Sequence, residues 1–145
     1  MKHYTKDNFD ITESVGFLIT KARNVLTQKL DAALKGFDIT GPQMGIILSL
    51  KRGNATTPFE LSKFLSIDTG LMTRMLDKLE KAGLLERSRS QEDRRVVLLN
   101  LTEKGLEVAD HIIELAPDVL NERLKQFTKA EFEELQRLLK KFASA

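Results

Sequence analysis

Apolar side chains recur at helical spacing early in the chain. Val15, Leu18, Ile19, Ala22, Val25, Leu26, Leu30, Ala33 and Leu34 share one stripe, which predicts a long amphipathic helix over about 12–34. Gly36 is expected to end it, because glycine accepts the left-handed turn that closes many helices. Three later starts carry a capping-box pattern, in which a hydroxyl is followed three residues on by a side chain that can reach back: Thr40 with Gln43, Thr57 with Glu60, and Thr128 with Glu131. Pro58 suits a first helical turn, where its missing amide hydrogen costs nothing. The periodicity gives further helices at about 41–51, 58–64, 68–82, 103–116, 118–126 and 129–142, with Pro117 expected to break or kink the run from 103 to 126. One region reads as sheet. Short apolar segments at 84–88 and 96–101, the second rich in Val and Leu, flank the polar stretch 89–95, which predicts a two-stranded hairpin with a charged tip.

The helix at 68–82 brings in the chemistry. At ~100° per residue, Leu71, Met72, Met75, Leu76, Leu79 and Ala82 fill one side, which is expected to pack on the preceding short helix through Phe59, Leu61, Phe64 and Leu65. Thr69, Gly70, Thr73, Arg74, Asp77, Lys78 and Lys81 fill the other. That face opens with small residues, which let a nucleic-acid backbone approach, and continues with hydroxyls and cations able to bond phosphates and base edges. Two helices joined by a tight turn at 65–67, the second bearing such a face, form a helix-turn-helix pattern. Any amphipathic helix in a bundle shares part of this pattern.

The hairpin narrows the choice. Its strands and tip hold Arg87, Arg89, Arg94 and Arg95, with Glu92 and Asp93 beside them. An arginine on a thin protruding hairpin is shaped to enter a minor groove, and a neighbouring carboxylate can hold it ready. A surface turn with self-paired charges would look the same in isolation. Helix, helix and charged hairpin within about 45 residues together make a winged helix-turn-helix.

Net charge is only +2, but it is unevenly placed. Residues 51–95 carry ten Lys/Arg against seven Asp/Glu, whereas 1–50 carry six against five and 96–145 seven against nine. The excess in the middle third suits an anionic partner there. With 41% hydrophobic and 30% charged residues in 145, the chain can fill one domain's core. It has no cysteine, so thiolate catalysis, disulfides and thiol-based peroxide sensing are excluded, and two histidines are too few for most histidine-rich metal sites. No glycine-rich phosphate loop or nucleophile–base spacing suggests an enzyme, and no cofactor or metal is expected. The polar first ten residues and the shortness of the apolar runs (45–48, 96–99) argue against a signal peptide or a membrane span, and predict a cytoplasmic protein.

Residues 68–87, DTGLMTRMLDKLEKAGLLER, and 93–102, DRRVVLLNLT, followed by Glu103, Lys104 and Gly105, resemble the multiple-antibiotic-resistance regulator (MarR) family of bacterial transcription factors. The second stretch is similar to the family's wing signature, and the helix order agrees over roughly 10–143. The resemblance implies a mainly α fold with a small β-wing: a single domain over 1–145, with a winged helix-turn-helix core at about 38–101 and dimerisation helices at about 10–36 and 103–143. It implies a homodimer on double-stranded DNA at a pseudo-palindromic operator, with the helix at 68–82 in the major groove. Arg95 would enter the minor groove, oriented by Asp93. Thr69, Gly70, Thr73, Arg74 and Lys78 would contact bases and phosphates, with Arg87, Arg89, Ser90 and Arg94 in support. It also implies a repressor released by a small aromatic or phenolic ligand, in a pocket drawn from Phe17, Lys21, Met44, Ile47, Leu48 and His111.

The dimer has independent support in the sequence. Ile112, Ile113, Leu115, Val119, Leu120, Leu124, Phe127, Phe132, Leu135, Leu138, Leu139 and Phe142 give the last helices more apolar surface than a small winged module needs. A monomeric bundle is the simpler alternative. The competing function is a winged helix that contacts proteins, without selective DNA binding.

Overall fold

The computed structural model describes residues 1–145. Six α-helices and one hairpin follow in the order α1 (Val15–Leu34), α2 (Gly41–Arg52), α3 (Pro58–Leu65), α4 (Thr69–Lys81), β1 (Leu85–Arg89), β2 (Val97–Leu101), α5 (Glu103–Leu124) and α6 (Lys129–Ser144). The fold is mainly α with a two-stranded wing. The strands are antiparallel, with Leu85 opposite Leu101 and Arg89 opposite Val97.

Side chains at the helix starts explain where the elements begin. Ser14 accepts the Phe17 amide at 3.2 Å, Asp68 those of Gly70 and Leu71, and Thr102 that of Gly105. The box at Thr128 is reciprocal: its hydroxyl accepts the Glu131 amide at 3.2 Å while Glu131 accepts the Thr128 amide at 2.8 Å. At Thr57 the return bond differs from the expected one. The Glu60 carboxylate accepts from the hydroxyls of Thr56 and Thr57.

The core lies in the winged module and takes in the inner parts of α1 and α5. Leu34, Ile46, Ile47, Leu61, Met72, Leu76, Leu79, Leu84, Leu85 and Ile112 are sealed from solvent there. Within α1 only Leu30 and Leu34 are buried, while Val15 and Leu18 remain exposed. All of α6 is exposed, including Phe132, Leu135, Leu138, Leu139 and Phe142.

Four local expectations are corrected. The left-handed residue after α1 is Asp38 (φ 55°), since Gly36 is taken up in a short 3-10 turn. A short polar side chain tolerates that conformation better than most. Pro117 lies within α5, which runs unbroken for 22 residues. The carbonyl that its missing amide frees belongs to Ile113, an exposed residue, so water can take the place of the lost bond. Phe59 and Phe64 do not pack into the helix pair, being 62% and 56% exposed. At ~100° per residue they lie about 110° to either side of the stripe formed by Leu61, Ser62 and Leu65. Leu71 is likewise exposed, at the rim of the apolar side of α4.

The turn between α3 and α4 is closed by Ser66, a non-glycine residue at φ 53° whose amide returns to the end of α3, while the Ile67 amide bonds the Ser62 carbonyl at 3.0 Å. The start of α5 locks onto the α4–β1 turn. Thr102 donates its amide to Leu84 O at 3.1 Å and its hydroxyl to Gly83 O, and Lys104 Nζ donates to Ala82 O at 2.9 Å.

Candidate nucleic-acid interface

The outer face of α4 presents Thr69, Gly70, Thr73, Arg74 and Lys78 to solvent, all exposed. The burial of Met72, Met75, Leu76 and Leu79 fixes this orientation by turning the opposite face inward. Thr73 donates its hydroxyl to Thr69 O at 2.9 Å, which leaves the oxygen lone pairs and the methyl free to meet a partner. Arg74 and Lys78, together with Arg23 of α1, line a cleft of about 240 Å³ beside α4. None of these three cations is held in a salt bridge, so each can pair with an incoming anion.

The wing tip is organised around Asp93. Its carboxylate takes the Arg95 guanidinium in a fork, Nε to Oδ1 at 3.0 Å and Nη2 to Oδ2 at 3.1 Å, and also accepts the Arg95 amide at 3.1 Å. The side-chain hydrogen bonds from Arg95, and then its backbone amide, hold the Asp93 carboxyl below its ordinary range; the same pairing raises the Arg95 guanidinium. The Arg95 side chain is nonetheless 90% exposed, so it is oriented and still free to reach outward. The turn behind it is tied by Ser90 N to Val96 O and Val96 N to Asp93 O, both 3.0 Å, and by Arg89 Nη1 to Arg94 O at 3.3 Å. Ser90 Oγ accepts the Asp93 amide at 3.4 Å. Arg89 and Ser90 thus shape the tip, while Arg94 projects from it.

Arg87 departs from the set of free cations. Its guanidinium is engaged by Asp77 at 2.9 Å and Glu80 at 3.3 Å, both on α4. The pattern was present in the sequence as two carboxylates three residues apart on the charged side of α4, followed by an arginine across the next turn, but spacing alone does not show that a strand folds back onto them.

The residues named for a ligand pocket are dispersed. Ile47 is wholly buried in the core, and Leu48 packs against it. His111 stacks on Phe37 with ring centroids 5.3 Å apart, and Phe17 and Lys21 are exposed on α1. Met44 alone of the six lines the cleft of about 590 Å³ between α1, the start of α2 and the α3–α4 turn, together with Arg23, Leu26, Thr27, Leu65, Ile67 and Leu71. An apolar trough of about 360 Å³ lies farther along, walled by Ala22 and Leu26 of α1, Leu120 and Leu124 of α5, and Phe132, Leu135 and Leu139 of α6. No helix is long and apolar enough to cross a membrane.

A model of the MarR family matches residues 39–97. The multiple antibiotic resistance protein MarR of Escherichia coli K12 is 36% identical, covering 94% of this chain and 96% of that protein. The organic hydroperoxide resistance transcriptional regulator of Bacillus subtilis is 30% identical over 93% of this chain and 96% of its own. A crystal structure of a cysteine-to-serine mutant of E. coli MarR with operator DNA superposes at a TM-score of 0.83 and 34% identity, covering 92% of this chain and 99% of that one. The matched relatives are transcriptional regulators, and the likeness to them extends over nearly the whole chain.

Proposed function

The chain belongs to the MarR family, and on that premise we propose that it is a transcriptional regulator that reads double-stranded DNA as a homodimer and represses from a pseudo-palindromic operator. The observation that carries this reading is the Asp93–Arg95 fork, an exposed arginine pre-oriented at the end of a wing beside a helix whose Arg74 and Lys78 are held in no salt bridge. In this reading α4 enters the major groove and Thr69, Gly70, Thr73, Arg74 and Lys78 meet bases and phosphates. Arg95 enters the adjacent minor groove, where narrow walls focus negative potential, and Arg94 contacts the backbone outside it. The likeness to an E. coli MarR crystallised with operator DNA supports DNA as the partner.

The second copy is argued from α1, α5 and α6. The core of the winged module at about 38–101 draws in Leu34 of α1 and Val108, Ala109 and Ile112 of α5, whereas the flanking segments at about 10–36 and 103–143 still leave Val15, Leu18, Ile113, Leu120, Leu138 and Phe142 exposed. A twofold partner covers such a surface most economically. It also sets the recognition helices one helical turn of DNA apart. A small aromatic or phenolic ligand that prefers another spacing would release the operator by population shift, and the cleft lined by Met44 and Arg23 lies between the flanking helix α1 and the recognition module.

The test is Arg95→Ala on an operator duplex selected from a random pool. Affinity falls by about fivefold to a hundredfold while the dimer stays folded. Affinity of the unsubstituted protein falls steeply with salt as phosphate contacts release counterions. Unchanged affinity in a folded Arg95→Ala dimer contradicts the wing assignment.

A further inference from the structure

Arg87 sits in the middle of β1, opposite Leu99, and its guanidinium bridges two carboxylates of the recognition helix. The contact joins the two parts of the molecule that must engage different grooves at the same time. We propose that Arg87, Asp77 and Glu80 form a brace that sets the angle of the wing to the recognition helix, so that Arg87 is a positioning residue for DNA selection rather than a phosphate contact. The inference rests on the DNA-binding reading above.

The physical case begins with the wing itself. A two-stranded hairpin holds its orientation poorly unless something outside it fixes the base. Burial of Leu85 and Leu99 in the core anchors the base, and two polar ties add direction. On β2 the Leu99 amide donates to Thr56 O at 2.8 Å, which pins that strand to the loop before α3. On β1 the corresponding tie is Arg87. The planar guanidinium can offer one nitrogen to each carboxylate at once, Nη2 to Asp77 Oδ1 and Nη1 to Glu80 Oε1, so it resists both sliding and rotation of β1 along α4. Asp77 and Glu80 are three residues apart and therefore share one side of α4, turned toward β1. The Arg87 side chain is 28% exposed, whereas that of Arg95 is 90% exposed. A cation kept for DNA would stand exposed, as Arg95 does with its one partner beside it on the tip, whereas Arg87 would have to leave two carboxylates of another helix. The brace instead limits the freedom that the wing would lose on binding, so it favours duplexes that α4 and Arg95 can engage together.

The experiment compares two duplexes, one selected from a random pool by the unsubstituted dimer and one of random sequence, over a series of salt concentrations. The variants are Arg87→Gln, Arg87→Lys, Asp77→Asn and Glu80→Gln, with the double variants that pair Arg87→Gln with each carboxamide. Arg87→Gln is expected to weaken binding to the selected duplex about threefold to tenfold, with little change on random sequence and an unchanged salt slope, since a linked pair of partly buried ion pairs exceeds an isolated exposed one. Arg87→Lys, which can reach one carboxylate at a time, restores part of the loss. The carboxamide variants also lower the ratio of selected to random affinity, and each double variant is no worse than its weaker parent.

The contrary results are equally distinct. If Arg87 binds phosphate, Arg87→Gln makes the salt slope shallower by about one and weakens both duplexes alike. Freeing it with Asp77→Asn or Glu80→Gln would then tighten binding. Either pattern overturns the brace. A loss that follows a fall in melting temperature and that Arg87→Lys does not restore overturns it as well. If the unsubstituted dimer enriches no duplex at all, the DNA reading itself fails and the brace falls with it.

Discussion

Replacing Gly105 with alanine should damage the protein, although alanine is the better helix former. Gly105 lies in the first turn of α5, where a Cβ built on its backbone would stand 2.0 Å from Leu84 O, 3.0 Å from Leu84 C and 3.3 Å from Leu101 Cδ2. The nearest obstacle is backbone that no rotamer change can move, so α5 must back away from the α4–β1 turn. That retreat strains the contacts made by Thr102 and Lys104 to Leu84, Gly83 and Ala82. Overpacking costs about 1–3 kcal/mol, each weakened hydrogen bond about 1 kcal/mol, and the helix gains back about 1 kcal/mol from alanine. The net expectation is a loss of about 3–5 kcal/mol, measured by urea unfolding at fixed protein concentration with the m-value unchanged. Gly45→Ala is the matched control. Its Cβ would meet only the Leu65 methyls, at 3.6 and 3.9 Å, so within α2 the substitution should stabilise by about 0.5–1 kcal/mol. If Gly105→Ala comes within about 0.5 kcal/mol of the unsubstituted protein, the change expected of a surface substitution that disturbs nothing, the close seat of α5 is refuted.

Other consequences can be checked with simple variants. Ser66→Gly relieves a left-handed residue and should stabilise by about 0.5–1 kcal/mol in the same unfolding assay; a loss of stability would contradict the turn geometry. Leu138→Glu places a charge on the exposed face of α6, so sedimentation should show a folded monomer in place of a dimer, whereas an intact dimer would remove that helix from the interface. The Asp93 carboxyl is held below its ordinary value of 3.8, so the ordering it gives Arg95 is full above that pH and lost only as pH falls through the lower folded value. The Arg95 side-chain NMR signals should therefore stay fixed from neutral pH down to about 4 and move below it; a change centred near neutrality would deny the pairing.

The sequence made the recognition helix and wing legible because their signals agree across several kinds of constraint. The burial of Met72, Met75, Leu76 and Leu79 follows from periodicity, and the Asp93–Arg95 pair from charge and spacing at a turn. Phe59 and Phe64 were misplaced because an eight-residue helix has too few turns to show which stripe faces inward, and Leu61 and Leu65 suffice to anchor it. Pro117 does not break α5 because a break depends on whether the freed carbonyl can be hydrated, and that is settled by which side of α5 faces solvent. Arg87 looked like one more cation of the set until the chain fold brought β1 against Asp77 and Glu80, a contact between residues seven and ten positions apart.

The central claim is that this chain reads DNA as a twofold-symmetric pair, and the most direct measurement is selection of bound duplexes from a random pool, with sequencing of the survivors. The account predicts enrichment of a palindromic site whose half-sites are about one helical turn apart. Binding that is salt-sensitive but enriches no sequence would contradict it, and would turn the winged module into a surface for a protein partner.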